Sequence, residues 1–282
     1  MATAEFLEFV PGLEGRRKDI VVDWLLKRGR VNVEARYVQP YTLAIRFMDA
    51  YNPHWEGTGD MEMLPDSWRS QIMEFDEESL VDFLDYALHD IRVDTTDRNI
   101  AANLDRALLN AHSIITVGEY EGRCCVEERI DPTVQTAVKE TVEASGTGGQ
   151  LLNRAWAKAY GRQEDAPGAY SNAIKAVETL SCPLILPANR KATLGTAIKT
   201  LDDQHNKSTK STWEFAIENP SDAAESVNAV ISMMKLLWHG QADRHGSEAS
   251  DFRDATIKEA RAAVLLAATL VGWLNDGYLV KK

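Results

Sequence analysis

The stretch from Lys235 to Gly246 (KLLWHGQADRHG) gathers two of the chain's six histidines, His239 and His245, with Lys235, Arg244 and two glycines. An imidazole exchanges protons near neutral pH, and a neighbouring cation stabilises developing negative charge, so this combination suits acid–base work on an anionic group. Gly240 has the place of a residue just past a helix end, which sets Lys235 and His239 four apart on one face of the last turn. Gly246 lets the backbone turn closely beside His245 before Asp251 and Phe252 open a final helix. Histidines and cations are therefore expected to converge at a helix–loop–helix corner. The same residues also suit a plain helix terminus, where basic side chains complement the dipole and a histidine before glycine caps a carbonyl. No metal site is expected: His239 and His245 are six apart, with no cysteine near them in sequence.

Three other places could carry chemistry. Gly146-Thr-Gly-Gly149 is glycine-rich but lacks a Gly-Lys-Ser/Thr ending and follows a helix, so it reads as a flexible helix–helix connection rather than a phosphate loop. Arg190 and Lys191, with Lys199, Lys207 and Lys210, make a basic stretch tempered by Asp202 and Asp203. It could face a phosphate backbone, or simply be solvated. Glu178 sits among apolar residues in AVETL, where a carboxylate tying helices together by hydrogen bonds is preferred to a catalytic one.

Helices must position these groups. Leu80, Phe83, Leu84, Ala87 and Leu88 form an apolar stripe behind the acidic start Asp76 to Ser79, and Ile100, Leu104, Ala107, Leu108 and Ala111 form a second. Residues 113–117 and 124–130 flank Gly118 to Gly122, predicting a β-hairpin at about 113–130 as the one substantial β element. After Asp131-Pro132, helices are expected at 133–143, 149–160, 170–180, 193–201, 222–238 and 251–274, punctuated by Gly146, Gly148, Pro167, Pro183, Pro187 and Pro220. Strands do not alternate with helices, so no doubly wound sheet is indicated. The fold class is mainly α. Residues 1–75 form an acidic helical N-terminal region of unknown role, 76–145 a helical segment with the hairpin, and 146–282 a bundle of four or five helices. Trp55 and Trp68, in a loop rich in proline, glycine and acid, are expected to dock on the chain's own core.

Over 282 residues the chain carries 43 Asp+Glu against 31 Lys+Arg, a net charge of −12, which disfavours a protein that coats nucleic acid indiscriminately. The acid is concentrated early: residues 151–282 hold 16 Lys+Arg and 15 Asp+Glu, so the second half stays open to an anionic ligand. Met1 to Gly15 lacks the pattern of a secretory leader, and the longest apolar run, Ala262 to Leu274, falls short of the ~20 residues that cross a bilayer. Three cysteines, two of them neighbours, make neither a disulfide framework nor a metal pair. A cytoplasmic protein with no membrane contact is expected.

Several stretches resemble, in order, the C-terminal domain of prokaryotic abortive-infection proteins, a branch of the HEPN superfamily. They are Leu104 to Ser113 running into the hairpin, Ala155 to Gly161, Ala173 to Glu178, Lys191 to Gly195, and Arg244-His245-Gly246 before a long alanine-rich helix. The resemblance spans roughly residues 80–282. It implies a helical bundle, a homodimer, and for many members a metal-independent ribonuclease that needs no cofactor. The family hallmark is an arginine, a polar residue beside it, and a histidine four to six intervening positions on. His245 falls on that histidine, with Gly246 after it. Trp238 stands where the arginine is expected, His239 is the polar neighbour, and Arg244 or Lys235 are the nearest cations that could substitute. The implied roles are catalysis by His245, His239 and Arg244, RNA binding by Lys235, Arg190 and Lys191, and structural support by Glu178, Trp238 and Gly246. The implied activity is RNA cleavage (tRNA among the candidate substrates) in phage defence. Two alternatives stay open: a degenerate module that binds RNA or a protein partner without cutting, and a regulatory oligomerisation protein whose acidic N-terminal region meets a partner or masks the second half.

Overall fold

The structure, a computed structural model, describes residues 75–89, 91–92, 98–111, 113–207, 212–217, 223–239 and 253–282. The acidic start at Asp76 becomes a helix cap: its Oδ1 accepts the Ser79 N–H at 2.8 Å, and helix α1 runs Glu77–His89. Leu80, Phe83, Leu84, Ala87 and Leu88 are buried along it, as their spacing predicts. Helix α2, Arg98–Asn110, buries Ala101, Leu104 and Leu108. The hairpin follows as strands β1, Ile115–Tyr120, and β2, Arg123–Glu128, paired antiparallel with Val117 opposite Val126. Its turn is only Glu121-Gly122, both at positive φ (50° and 76°), the geometry that matches the twist of paired strands. Gly118 is a strand residue, and a Cβ there would collide with the carboxyl of buried Glu127. Two carboxylates fasten helices to strands. Asp85 of α1 accepts the Val126 N–H at 2.7 Å, and Asp105 of α2 accepts from Thr116 Oγ1 at 2.6 Å and from Arg129 Nη2 at 2.8 Å. This first compact unit ends at Ile130.

The second unit, Asp131–Lys282, is a helical bundle. Helix α3, Pro132–Ala144, starts with proline in its first turn and with Asp131 Oδ1 accepting the Thr133 N–H at 2.8 Å. Helices α4, Gly146–Tyr160, α5, Ala166–Ile185, α6, Leu194–Asn206, α7, Ala223–His239, and α8, Ile257–Asn275, complete the six helices described in this unit. Helices α4, α5 and α8 pack on one another, α3 lies against α4 and α8, and α6 bridges α5 and α7. Alanines line those contacts: Ala155 and Ala159 on α4, Ala173 and Ala176 on α5, and Ala260 and Ala267 on α8 are wholly buried. Small side chains let the helix axes approach, and the lost apolar area is regained as close packing. Arg261 pins α8 to α4 by donating from Nε to the Ala159 carbonyl at 3.0 Å while its guanidinium covers the Tyr160 ring.

Several expectations need correction. The glycines at 146–149 are no flexible connection but the first turn of α4, and Ser145 alone separates α3 from α4. A Cβ at Gly148 would run into Leu180 of α5, and one at Gly149 into the Val142 carbonyl of α3, so these glycines serve close helix approach. Pro167 lies in the first turn of α5 and Pro183 inside it, so neither breaks the helix; α5 reaches Ile185 rather than residue 180. Proline is tolerated at both places because the first turn lacks N–H partners anyway and the last turn is already ending. The final helix opens at Ile257 behind a Thr256 cap, not at residue 251. A second two-stranded sheet exists, β3, Trp213–Phe215, with β4, Leu279–Lys281, antiparallel. Three-residue strands 64 positions apart leave no local pairing signal. The acidic N-terminal region, Trp55 and Trp68 lie outside the described residues.

Candidate functional site

Helix α7 carries the part of the corner that the structure describes. Val227, Val230, Ile231, Met234 and Leu237 are buried, while Glu225, Ala229, Ser232, Leu236 and His239 face outward at helical spacing. The helix is held at three points near its C-terminal end. Tyr170 of α5 donates its hydroxyl to the Leu237 carbonyl at 3.1 Å, satisfying one of the carbonyls left open at a helix end. Lys235 Nζ donates to Asp202 Oδ2 of α6 at 2.8 Å. The Trp238 indole lies on Gly195 in the first turn of α6, so close that a Cβ there would sit 2.5 Å from Cζ2.

These contacts make α6 and α7 antiparallel, with the start of α6 beside the end of α7. His239 is exposed on the last turn of α7, as Gly240 predicts. Lys235 is not a free cation, because its ammonium is engaged by Asp202. That ammonium, seconded by the Asn206 amide, holds the Asp202 carboxyl below the usual carboxylate range. Trp238 is a packing residue at the α6–α7 contact. Past the corner, Thr256 caps α8 in a reciprocal box with Glu259, and the Arg253 guanidinium forks onto both Glu259 oxygens at 2.7 and 2.5 Å. Arg244, His245 and Gly246 lie outside the described residues.

Of the other site residues, Glu178 and Arg190 come together beside α6's first turn. Glu178 Oε1 accepts the Leu194 N–H at 2.7 Å, so its carboxylate ties α5 to α6 one residue from the glycine that carries Trp238. Arg190 and Lys191 stand in the α5–α6 connection, both exposed and without an ion-pair partner among the described residues. Asn189 Oδ1 accepts the Lys191 N–H at 3.1 Å and turns the chain there. Arg190 and Glu178 line an open cleft of about 470 Å³, with Lys175, Thr179 and Cys182 of α5 on its wall. Burial, and then Glu178, push the Cys182 thiol up, away from thiolate chemistry. Lys175 and the cleft did not stand out in the sequence. The available signal was the spacing of Lys175, Glu178 and Cys182 along one face of α5.

The fold and site together define a mainly helical protein whose second unit brings an exposed histidine and an unpaired basic connection to one end of a bundle. Comparison of the chain with protein-family models, with curated proteins and with solved structures found no match.

Proposed function

We propose that the chain is a HEPN-type, metal-independent RNA endonuclease of phage defence, acting in the cytoplasm as a homodimer without a cofactor. The observation that carries the reading is His239, exposed on the last turn of α7 six positions before His245 in sequence. It is supported by the helical second unit and by the ordered resemblance over residues 80–282. In the reaction the ribose 2′-OH attacks the adjacent phosphorus and the bond to the 5′ oxygen breaks. One imidazole takes the proton of the attacking hydroxyl and the other delivers one to the leaving oxygen. The products are a 2′,3′-cyclic phosphate and a 5′-OH. Imidazole is the side chain suited to such proton transfer near neutral pH, and Arg244 meets the negative charge that develops on the phosphoryl oxygens. Two-fold pairing of such corners concentrates positive charge that one subunit lacks.

Purified protein should cut tRNA or another structured RNA in EDTA, and His245→Ala should abolish cutting; cutting that persists in this variant sinks the assignment. The packing of Trp238 on Gly195 and the pairing of Lys235 with Asp202 favour a second reading, a module that binds RNA or a protein partner without cleaving. RNA binding that survives His245→Ala, with no cyclic-phosphate product from the wild-type protein, selects that reading.

A further inference from the structure

The cleft beside α6's first turn holds groups, Lys175 and Glu178 among them, that the proposed cleavage step does not use. Lys175 of α5 and Arg190 of the α5–α6 connection both line it, from separate elements, and neither has an ion-pair partner among the described residues. Several other cations of this unit are paired, Lys158 with Asp165, Lys235 with Asp202, Arg253 with Glu259 and Arg261 with Glu164, whereas Lys191, beside Arg190, is not. Two cations lining one concavity, neither held in an ion pair by a described residue, suit a phosphate.

The same cleft carries acceptors on its wall. Glu178 uses Oε1 for the Leu194 N–H, and Oε2 takes no hydrogen bond from a described residue. Thr179 also lines the cleft, and its carbonyl lacks the helical donor four residues on because residue 183 is proline. Pro183, Leu186 and Pro187 add apolar surface to the same cleft. A volume of about 470 Å³ is within the ordinary range for small-ligand sites, roughly 300–1,000 Å³.

We propose that this cleft is a nucleoside-phosphate site: phosphate on Lys175 and Arg190, base against the proline and leucine surface, and an amino-bearing base edge donating to Glu178 and the Thr179 carbonyl. The acceptors set the base preference. Cytosine offers an amino donor at position 4, whereas uracil offers a carbonyl there that would face a carboxylate. The ligand chemistry is shared by a free nucleotide and by one unpaired nucleotide of an RNA strand. Neither source requires that the protein cut RNA.

The test is calorimetric titration of the full chain in EDTA with CMP, UMP, inorganic phosphate, and octamers of C and of U. Cytosine ligands should bind about tenfold more tightly than their uracil counterparts, and CMP or the C octamer more tightly than phosphate. Lys175→Gln with Arg190→Gln should remove most of that binding, with the circular dichroism spectrum unchanged because both side chains are exposed. Glu178→Gln keeps an acceptor for Leu194 and should erase the preference for C over U. Binding by CMP assigns a free nucleotide; binding by the octamer alone assigns a strand. No saturable binding by any of these ligands, phosphate binding as tightly as CMP, equal affinity for C and U, or wild-type affinity in the double variant overturns the proposal.

Discussion

Trp238 owes its place to packing: its indole lies on Gly195, and α6 and α7 close on each other through that contact. A methyl group at 195 has no room unless the indole moves, so Gly195→Ala should destabilise the fold by about 1–3 kcal/mol, read as a lower urea midpoint at constant slope. Combining it with Trp238→Leu should cost less than the sum of the single changes, because the two residues share one contact. A second residue-scale expectation concerns acid. Lys158 donates to Asp165, and this hydrogen bond holds the Asp165 carboxyl below its usual range. A depressed carboxylate stabilises the fold above its unfolded pKa of ~3.9 and loses that contribution as pH falls through the lower folded value. Lys158→Met should therefore be less stable than wild type at pH 7, and the gap between their thermal midpoints should narrow below about pH 4. Neither contact was legible in the sequence. Lys158 and Asp165 are seven apart across a helix end, and Gly195 and Trp238 lie on different helices.

At the scale of elements, helix starts are written locally and helix ends are less so. Asp76, Asp131, Asp165, Thr193 and Thr256 all precede helices, and each accepts a backbone N–H of the first turn. Thr256 and Thr193 do so within reciprocal boxes. Thr256→Ala should lower stability by about 1 kcal/mol. Amide exchange should speed up first in the opening turn of α8, and unchanged protection there would count against the cap. The apolar stripes of α1 and α2 were also visible, because the 3.6-residue period is a property of the chain itself. The extension of α5 through Pro183 and the helical reading of residues 146–149 were hidden. There the neighbouring helices outweigh local preference: Gly148 and Gly149 are against Leu180 and Val142.

For the molecule as a whole, the chain divides at Asp131 into two compact units, and the second has its own core of buried alanines, Leu152, Ile174, Leu201 and Leu270. Residues 131–282 expressed alone should therefore fold, giving a strongly helical spectrum and one cooperative urea transition. A broad, non-cooperative transition would show that the units depend on each other. Charge follows a similar division. The acid excess lies in the first 150 residues, and the second unit's exposed cations at Lys175, Arg190 and Lys191 meet no such excess nearby in sequence. No helix among the described residues is long and apolar enough to cross a membrane.

Composition and spacing alone determined that this chain is mainly helical, where several helices begin, that a hairpin lies at about residues 113–130, and which residues could carry proton transfer and cations. These follow from periodicity, capping and turn chemistry, which act within a few residues of chain. Only the tertiary structure decided which cations are free. Lys235 and Lys191 look alike in sequence, yet the first is bound to Asp202 from another helix and the second is exposed without an ion-pair partner among the described residues. It also decided that Glu178 bridges α5 to α6 and that Arg190 shares a cleft with Lys175. Pairing and burial depend on neighbours brought together across tens of residues, and no local pattern encodes them.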